Sequence, residues 1–149
     1  MLQQTDQAQN ITLGNQVHDV LSDIRVKEDL NNVLRQRLQS GEMSQEVVEL
    51  VQERIEKLLA DEVIANWFSD QFEVFNERSI WFEGREHQPD RLLFKGNEAI
   101  VIDYKKEVES EAHHHQVQRY MKAINAMGFR KVSGYLIYVE PVVVKEVLP

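Results

Sequence analysis

The residues best suited to chemistry lie between Gln88 and Lys105. They read Pro89-Asp90-Arg91, an apolar run, Gly96-Asn97, a second apolar run and Asp103-Tyr104-Lys105. Arg91 to Phe94 and Ala99 to Tyr104 are rich in Leu, Ile, Val and aromatic residues, and Gly96-Asn97 between them suits a two-residue hairpin turn. Counting outward from that turn along both strands sets Asp90 opposite Asp103. Cross-strand Cβ atoms lie roughly 5 Å apart, where two carboxylates repel unless a proton or a cation sits between them. Lys105, two residues past Asp103, shares its face of the strand. Carboxylate oxygens are the hard ligands that Mg²⁺ or Mn²⁺ takes while keeping waters and substrate phosphate oxygens in its shell. Such an ion lowers the pKa of a water and offsets charge on a phosphodiester. A lysine beside it can orient the water or stabilise the pentavalent phosphorus. Asp-x-Lys alone equally describes an exposed ion pair on a surface strand. The hairpin register and the Pro-Asp before it favour the metal reading.

The elements that must hold this cluster point to a mixed α/β fold. Val17, Val20, Leu21 and Ile24 follow helical spacing and predict a helix from about Gly14 to Ile24. A second helix is expected from Lys27 to Leu38, stopped at Ser40-Gly41. A third starts at Ser44 as N-cap and runs to Ala60, with Val47, Val48, Val51, Ile55, Leu58 and Leu59 as its core stripe. Its capping box is incomplete, because Val47 stands where Glu or Gln is wanted. A strand over about Glu73 to Phe82, the hairpin, a helix from Glu111 to Met127 ended by Gly128, and a strand from Lys131 to Val139 complete the core. The last strand should lie beside the Asp-Tyr-Lys strand through the crossover helix. Val142 to Val147 either adds an edge strand or closes the fragment. Met1 to Asn10 has no apolar periodicity, and residues 1–12 are expected to be a linker. Residues 13–149 are expected to form a single domain, with a helical part over 13–70 and a catalytic core over 71–140.

These motifs together resemble the PD-(D/E)xK nuclease superfamily, and within it the RecB-like nuclease domain at the C-terminus of bacterial AddA and RecB helicase-nuclease subunits. The family's Gly-x-x-x-His is matched by Gly14 to His18, its next motifs by Pro89-Asp90-Arg91 and Asp103-Tyr104-Lys105, and its Gln-x-x-x-Tyr by Gln116 to Tyr120. The resemblance spans roughly Leu13 to Glu140. It implies a restriction-endonuclease-like core with a small mixed sheet flanked by helices, preceded by a helical segment. It implies His18, Asp90, Asp103 and the Tyr104 carbonyl as metal ligands and Lys105 as the catalytic lysine. Gln116 and Tyr120, four apart on one helix face, would line the cleft and help position the DNA backbone or the catalytic lysine. A Glu on the first strand is part of the pattern; Glu77 is the nearest match, with Glu73 and Glu83 close by, and none is assigned as a ligand. A lone helical His or a Gln/Tyr pair can equally well pack or cap. Arg91, Lys106 and Arg119 are expected at the DNA backbone.

Three further features have simpler readings. His113-His114-His115 cannot converge on one ion, because successive helical residues point about 100° apart. Trp67, Phe68, Phe72 and Phe75 could stack on bases, but core packing explains them more simply. No Gly-x-x-x-x-Gly-Lys-Ser/Thr loop occurs, so ATP hydrolysis would belong to another part of a parent protein.

With 149 residues the chain can bury a real core. No apolar run reaches membrane-spanning length and no signal-peptide pattern starts it, so a soluble, cytoplasmic protein is expected, with no membrane partner. The absence of cysteine excludes disulfides and cysteine-bound zinc or iron-sulfur clusters. AddB-type and CRISPR-associated relatives carry such a cluster, so by resemblance its absence points to the AddA or RecB branch. Net charge is −8, distributed as 6 Lys/Arg against 13 Asp/Glu in residues 1–70 and 11 against 12 in 71–149. Phosphate contacts give nucleic-acid affinity, so weak DNA binding is expected unless a larger machine delivers the substrate. The expected function is a Mg²⁺-dependent deoxyribonuclease, with Mn²⁺ as substitute, belonging to a RecB- or AddA-like exonuclease of double-strand-break repair. Its expected partners are DNA, the helicase portion and a second AddB- or RecC-like subunit. The alternative is a DNA-guiding or subunit-docking module with little catalysis, or a free-standing nuclease.

Overall fold

In the computed structural model, which describes residues 13–106 and 109–149, the chain divides after Ser69 into a helical unit and an α/β unit. The expected linker at 1–12 lies outside the described residues. Residues 13–21 are helical (α1), followed by a single 3₁₀ turn at Lys27–Asp29, α2 at Leu30–Gln39, α3 at Gln45–Leu59 and α4 at Glu62–Trp67. The Ser44 hydroxyl caps α3 by accepting from the N–H of Val47 at 3.3 Å, as its position before the apolar stripe implies. Asp61 does the same for α4, accepting from the N–H groups of Val63 and Ile64 at 2.9 and 3.1 Å. Arg37 on α2 ties this unit together through Asp19, Asp23 and Glu42. Val17, Val20, Leu21, Val51, Ile55 and Ile64 are buried, as are Trp67 and Phe68.

The α/β unit carries a five-stranded sheet in the order β1-β4-β5-β6-β7 and a separate two-stranded ribbon, β2-β3. The strands are β1 Glu73–Asn76, β2 Ile80–Phe82, β3 Arg85–His87, β4 Arg91–Lys95, β5 Glu98–Lys105, β6 Lys131–Val139 and β7 Val142–Val147, with α5 at Glu111–Ala126 between β5 and β6. The β4–β5 hairpin has the expected register, Lys95 opposite Glu98 and Arg91 opposite Ile102. Its turn places φ of +59° on Gly96, the first central position, where a II′ turn favours glycine. β5 and β6 run parallel, with Asp103 opposite Leu136, and α5 makes the crossover between them. β7 pairs antiparallel to β6 as an edge strand. The result is a mixed sheet flanked by helices, the restriction-endonuclease-like arrangement.

One expected element is broken. The strand over Glu73 to Phe82 ends at Asn76, because Glu77 turns the backbone to a φ of +52°. The chain restarts as the β2–β3 ribbon around Glu83 and Gly84, both at positive φ as a type I′ turn requires.

One face of the main sheet packs on α5. Leu92, Ala99, Val101, Leu136 and Tyr138 from the strands meet Val117, Tyr120, Met121 and Ile124 from the helix. Gly134 is essential to this contact: a Cβ there would lie 2.5 Å from Met121 Sδ and 2.7 Å from Val117 Cγ1. The odd-numbered residues of β5 face α5, so Asp103 and Lys105 continue the row begun by Ala99 and Val101.

Candidate active site

Strand alternation positions the acidic pair. Asp90, just before β4, continues the row of Leu92 on the α5 side of the sheet, and Asp103 sits near the end of β5 on the same side. Their contact runs through the backbone as well as the side chains. The N–H of Asp90 donates to Asp103 Oδ1 at 3.3 Å, and the N–H of Tyr104 donates to Asp90 Oδ2 at 2.8 Å. Each carboxylate thus uses one oxygen to clamp the opposite strand. Glu77, in the break after β1, brings a carboxylate oxygen within 4.8 Å of one of Asp90. Its N–H donates to the Asp90 carbonyl at 3.0 Å, and Gln88 Nε2 donates to the Glu77 carbonyl at 2.7 Å. The positive φ of Glu77 sets the residue here, and it is the nearest match that the resemblance gave for the family's first-strand Glu.

Lys105 links the carboxylates to α5. Its Nζ lies 2.9 Å from Asp103 Oδ2 and donates to Gln116 Oε1 at 2.6 Å. Gln116 Nε2 in turn donates to the Tyr120 hydroxyl at 2.9 Å. The i, i+4 spacing of Gln116 and Tyr120 puts both on the face of α5 that meets the end of β5. The structure therefore joins Asp90, Asp103, Lys105, Gln116 and Tyr120 in one hydrogen-bonded chain.

Asp103 is 3% exposed. Burial, followed by the Asp90 charge, pushes its carboxyl up to about 7, against the lowering effect of Lys105. Burial also pushes Tyr120 up, to about 12, and Tyr104 higher still, so both phenols stay neutral. Two carboxylates held this close, one of them desolvated and imperfectly neutralised by a single lysine, form a hard-oxygen donor set that a divalent cation fits.

His18 lies half-buried on α1 of the helical unit. Arg91, expected at DNA phosphate, is 0% exposed and donates through Nη1 to Asn76 Oδ1 at 3.3 Å. One residue from Asp90 on a pleated strand, it necessarily points to the opposite face; its guanidinium is removed from the surface that a phosphate would touch. Lys106 and Arg119 are exposed. The histidine run does not converge: His113 Nδ1 meets the Tyr138 hydroxyl at 2.9 Å, and His114 Nε2 meets Glu109 at 3.1 Å.

A family model for the PD-(D/E)XK nuclease superfamily matches residues 2–146. The chain belongs to that superfamily. Nucleases of this superfamily generally use divalent metal ions, and in this chain Asp90 and Asp103 form an acidic pair with Lys105 Nζ 2.9 Å from Asp103. No curated protein matches the chain. Among solved structures, the crystal structure of SSO0001 is similar at 18% identity and a TM-score of 0.34, covering 76% of this chain, while this chain spans 60% of that one. Among the described residues, no helix is long and apolar enough to cross a membrane.

Proposed function

We propose that this chain is a divalent-metal-dependent deoxyribonuclease domain that hydrolyses DNA phosphodiester bonds with Mg²⁺ and accepts Mn²⁺ in its place. The observation that carries the reading is the Asp90–Asp103 pair with Lys105 Nζ 2.9 Å from Asp103. Asp90 and Asp103 would hold the ion, with Glu77, His18 and the Tyr104 carbonyl as further ligands. The bound ion would supply a water of lowered pKa and charge neutralisation at the phosphate. This chain's own residues do the rest. Lys105 presents a proton-bearing cation beside the carboxylates, where negative charge grows on the phosphorane. Gln116 accepts from Lys105 and donates to Tyr120, which fixes the direction in which the ammonium points. Lys106 and Arg119 are proposed as phosphate contacts.

The family motifs, the helical segment before the core and the lack of cysteine support a RecB- or AddA-like exonuclease of DNA double-strand-break repair, active in the cytoplasm. In that setting a helicase portion and a second AddB- or RecC-like subunit would feed DNA to the domain, which suits its acidic balance. Cleavage of linear DNA by the purified chain, with and without divalent metal, tests the enzymatic claim. Mn²⁺ binding without cleavage would mean that the helicase must deliver the strand. Absence of both would leave a docking module.

A further inference from the structure

The helical face beside the catalytic chain carries two depressions that the chemistry above does not use. The first, about 420 Å³, is lined by Phe82, Glu83, Arg85 and His87 of the β2–β3 ribbon and by Arg119 and Lys122 of α5. The second, about 810 Å³, shares Arg119 and Lys122 and extends over Met121 and Val132 to Arg130 and Lys131. Arg119 and Lys122 are one turn apart on α5, so they form the ridge between the two. Among the described residues Arg85, Arg119, Lys122 and Arg130 make no ion pair, whereas Lys131 meets Glu98 at 3.6 Å. Glu83 is the one acidic side chain in either lining. In a chain of net charge −8, this concentration of unneutralised cations is local and directional.

The first depression also abuts the active site. The His87 ring lies 6.1 Å from the ring of Tyr120, edge to face, and 6.4 Å from that of Phe82. Tyr120 accepts from Gln116, which accepts from Lys105. From Lys105 a path therefore runs through Tyr120 and His87 into the first depression, and over the Arg119–Lys122 ridge into the second.

We propose that this face is a track for one strand of nucleic acid leaving the catalytic carboxylates, with Arg85, Arg119, Lys122 and Arg130 at successive phosphates. The direction of travel rests on the nuclease reading of Asp90, Asp103 and Lys105. The chemistry favours a single strand over a duplex. Each depression offers apolar or aromatic floor (Phe82 and His87 in the first, Met121 and Val132 in the second) beside cations at its rim, which suits a nucleotide with its base turned in and its phosphate out. A paired base has its faces and edges occupied and cannot enter. The exposed ridge residues then count phosphates without reading sequence.

The test measures binding of a fluorescent single-stranded oligonucleotide, and of its duplex, to the whole chain in EDTA across a salt series, so that no cleavage intervenes. Arg85→Ala/Lys122→Ala and Arg119→Ala/Arg130→Ala are compared with the unaltered chain. Each double variant is expected to reduce the magnitude of the logarithmic salt slope for the single strand by about 1.4, two contacts at roughly 0.7 each. Thermal midpoints and Mn²⁺ affinity, read separately, establish that the variants are folded with their carboxylates in place. Unchanged slopes in both variants would overturn the track. Tighter duplex binding, with the slope loss confined to duplex, would overturn its assignment to a single strand. Because the slope is read without metal, a chain that binds through these residues yet neither binds Mn²⁺ nor cleaves would refute the nuclease reading and leave the binding face standing.

Discussion

Tyr104 and Asp90 lock the hairpin across its open end: the backbone N–H of Tyr104 donates to Asp90 Oδ2 at 2.8 Å. The reverse bond, from the Asp90 N–H to Asp103 Oδ1, closes the ring at 3.3 Å. Two carboxylates that would repel in isolation are thus held together by backbone donors on opposite strands. The arrangement satisfies one oxygen of each, and Lys105 Nζ meets the second oxygen of Asp103 at 2.9 Å.

The first consequence concerns stability without metal. Asp103 is raised from 3.8 to about 7, first by burial and then by Asp90. A carboxyl raised on folding contributes stability that is fully present below its unfolded pKa and is lost as pH rises through the folded value. The metal-free protein should therefore lose stability between about pH 4 and pH 7 through this group. Asp103→Asn should flatten that loss and be the more stable form at pH 8, by about 1 kcal/mol or more. Urea unfolding at pH 5 and pH 8 in EDTA, on both proteins, checks the sign.

Supplying the ion should reverse that cost. At pH 8, Mn²⁺ at a hundredfold excess over its dissociation constant should stabilise the chain by about 2.7 kcal/mol. Chelation should remove the gain, and Asp90→Ala or Asp103→Ala should abolish it. Thermal midpoints with Mn²⁺ and with EDTA measure this directly.

Gln116 is proposed as a positioning residue for Lys105, since its Oε1 accepts from Nζ at 2.6 Å. Gln116→Leu should lower kcat by about ten- to a hundredfold, with Mn²⁺ affinity retained. Lys105→Met should cost more, about a hundred- to a thousandfold. Equal kinetics for Gln116→Leu and the unaltered chain would remove its positioning role.

Gly134 tests the packing that brings α5 against the sheet. A valine there must displace Met121 and Val117, whose nearest atoms would lie 2.5 and 2.7 Å from its Cβ. Overpacking of this kind costs about 1–3 kcal/mol. Denaturant unfolding of Gly134→Val reads it.

What was legible in the sequence, and what was not, follows the range of the forces involved. The β4–β5 register could be read because a two-residue turn fixes every pair outward from Gly96-Asn97. Ser44 announced α3 because capping is a local bond. Arg91 was misplaced for want of the same pleat argument that aligned Asp90: adjacent residues face opposite ways. The break at Glu77 was marked by four consecutive polar residues, Asn76 to Ser79, between Val74-Phe75 and Ile80 to Phe82, and Glu83-Gly84 just beyond is a turn signal. α4 escaped notice because it is only 6 residues long, with Asp61 as its local mark. The Lys105–Gln116–Tyr120 chain joins residues from β5 and α5, and only tertiary packing brings them together; the spacing put Gln116 and Tyr120 on one helix face, and only the family resemblance offered the lysine as a partner.

Lys105 is the proposed catalytic residue, beside an acidic pair proposed to hold the metal. The decisive measurement is cleavage of linear DNA by the chain and by Lys105→Ala, each in Mn²⁺ and in EDTA, with Mn²⁺ affinity determined on the same samples. Metal-dependent cleavage by the unaltered chain, lost in Lys105→Ala while Mn²⁺ affinity stays within about twofold, is the predicted result. Cleavage that survives in Lys105→Ala at an undiminished rate would contradict it.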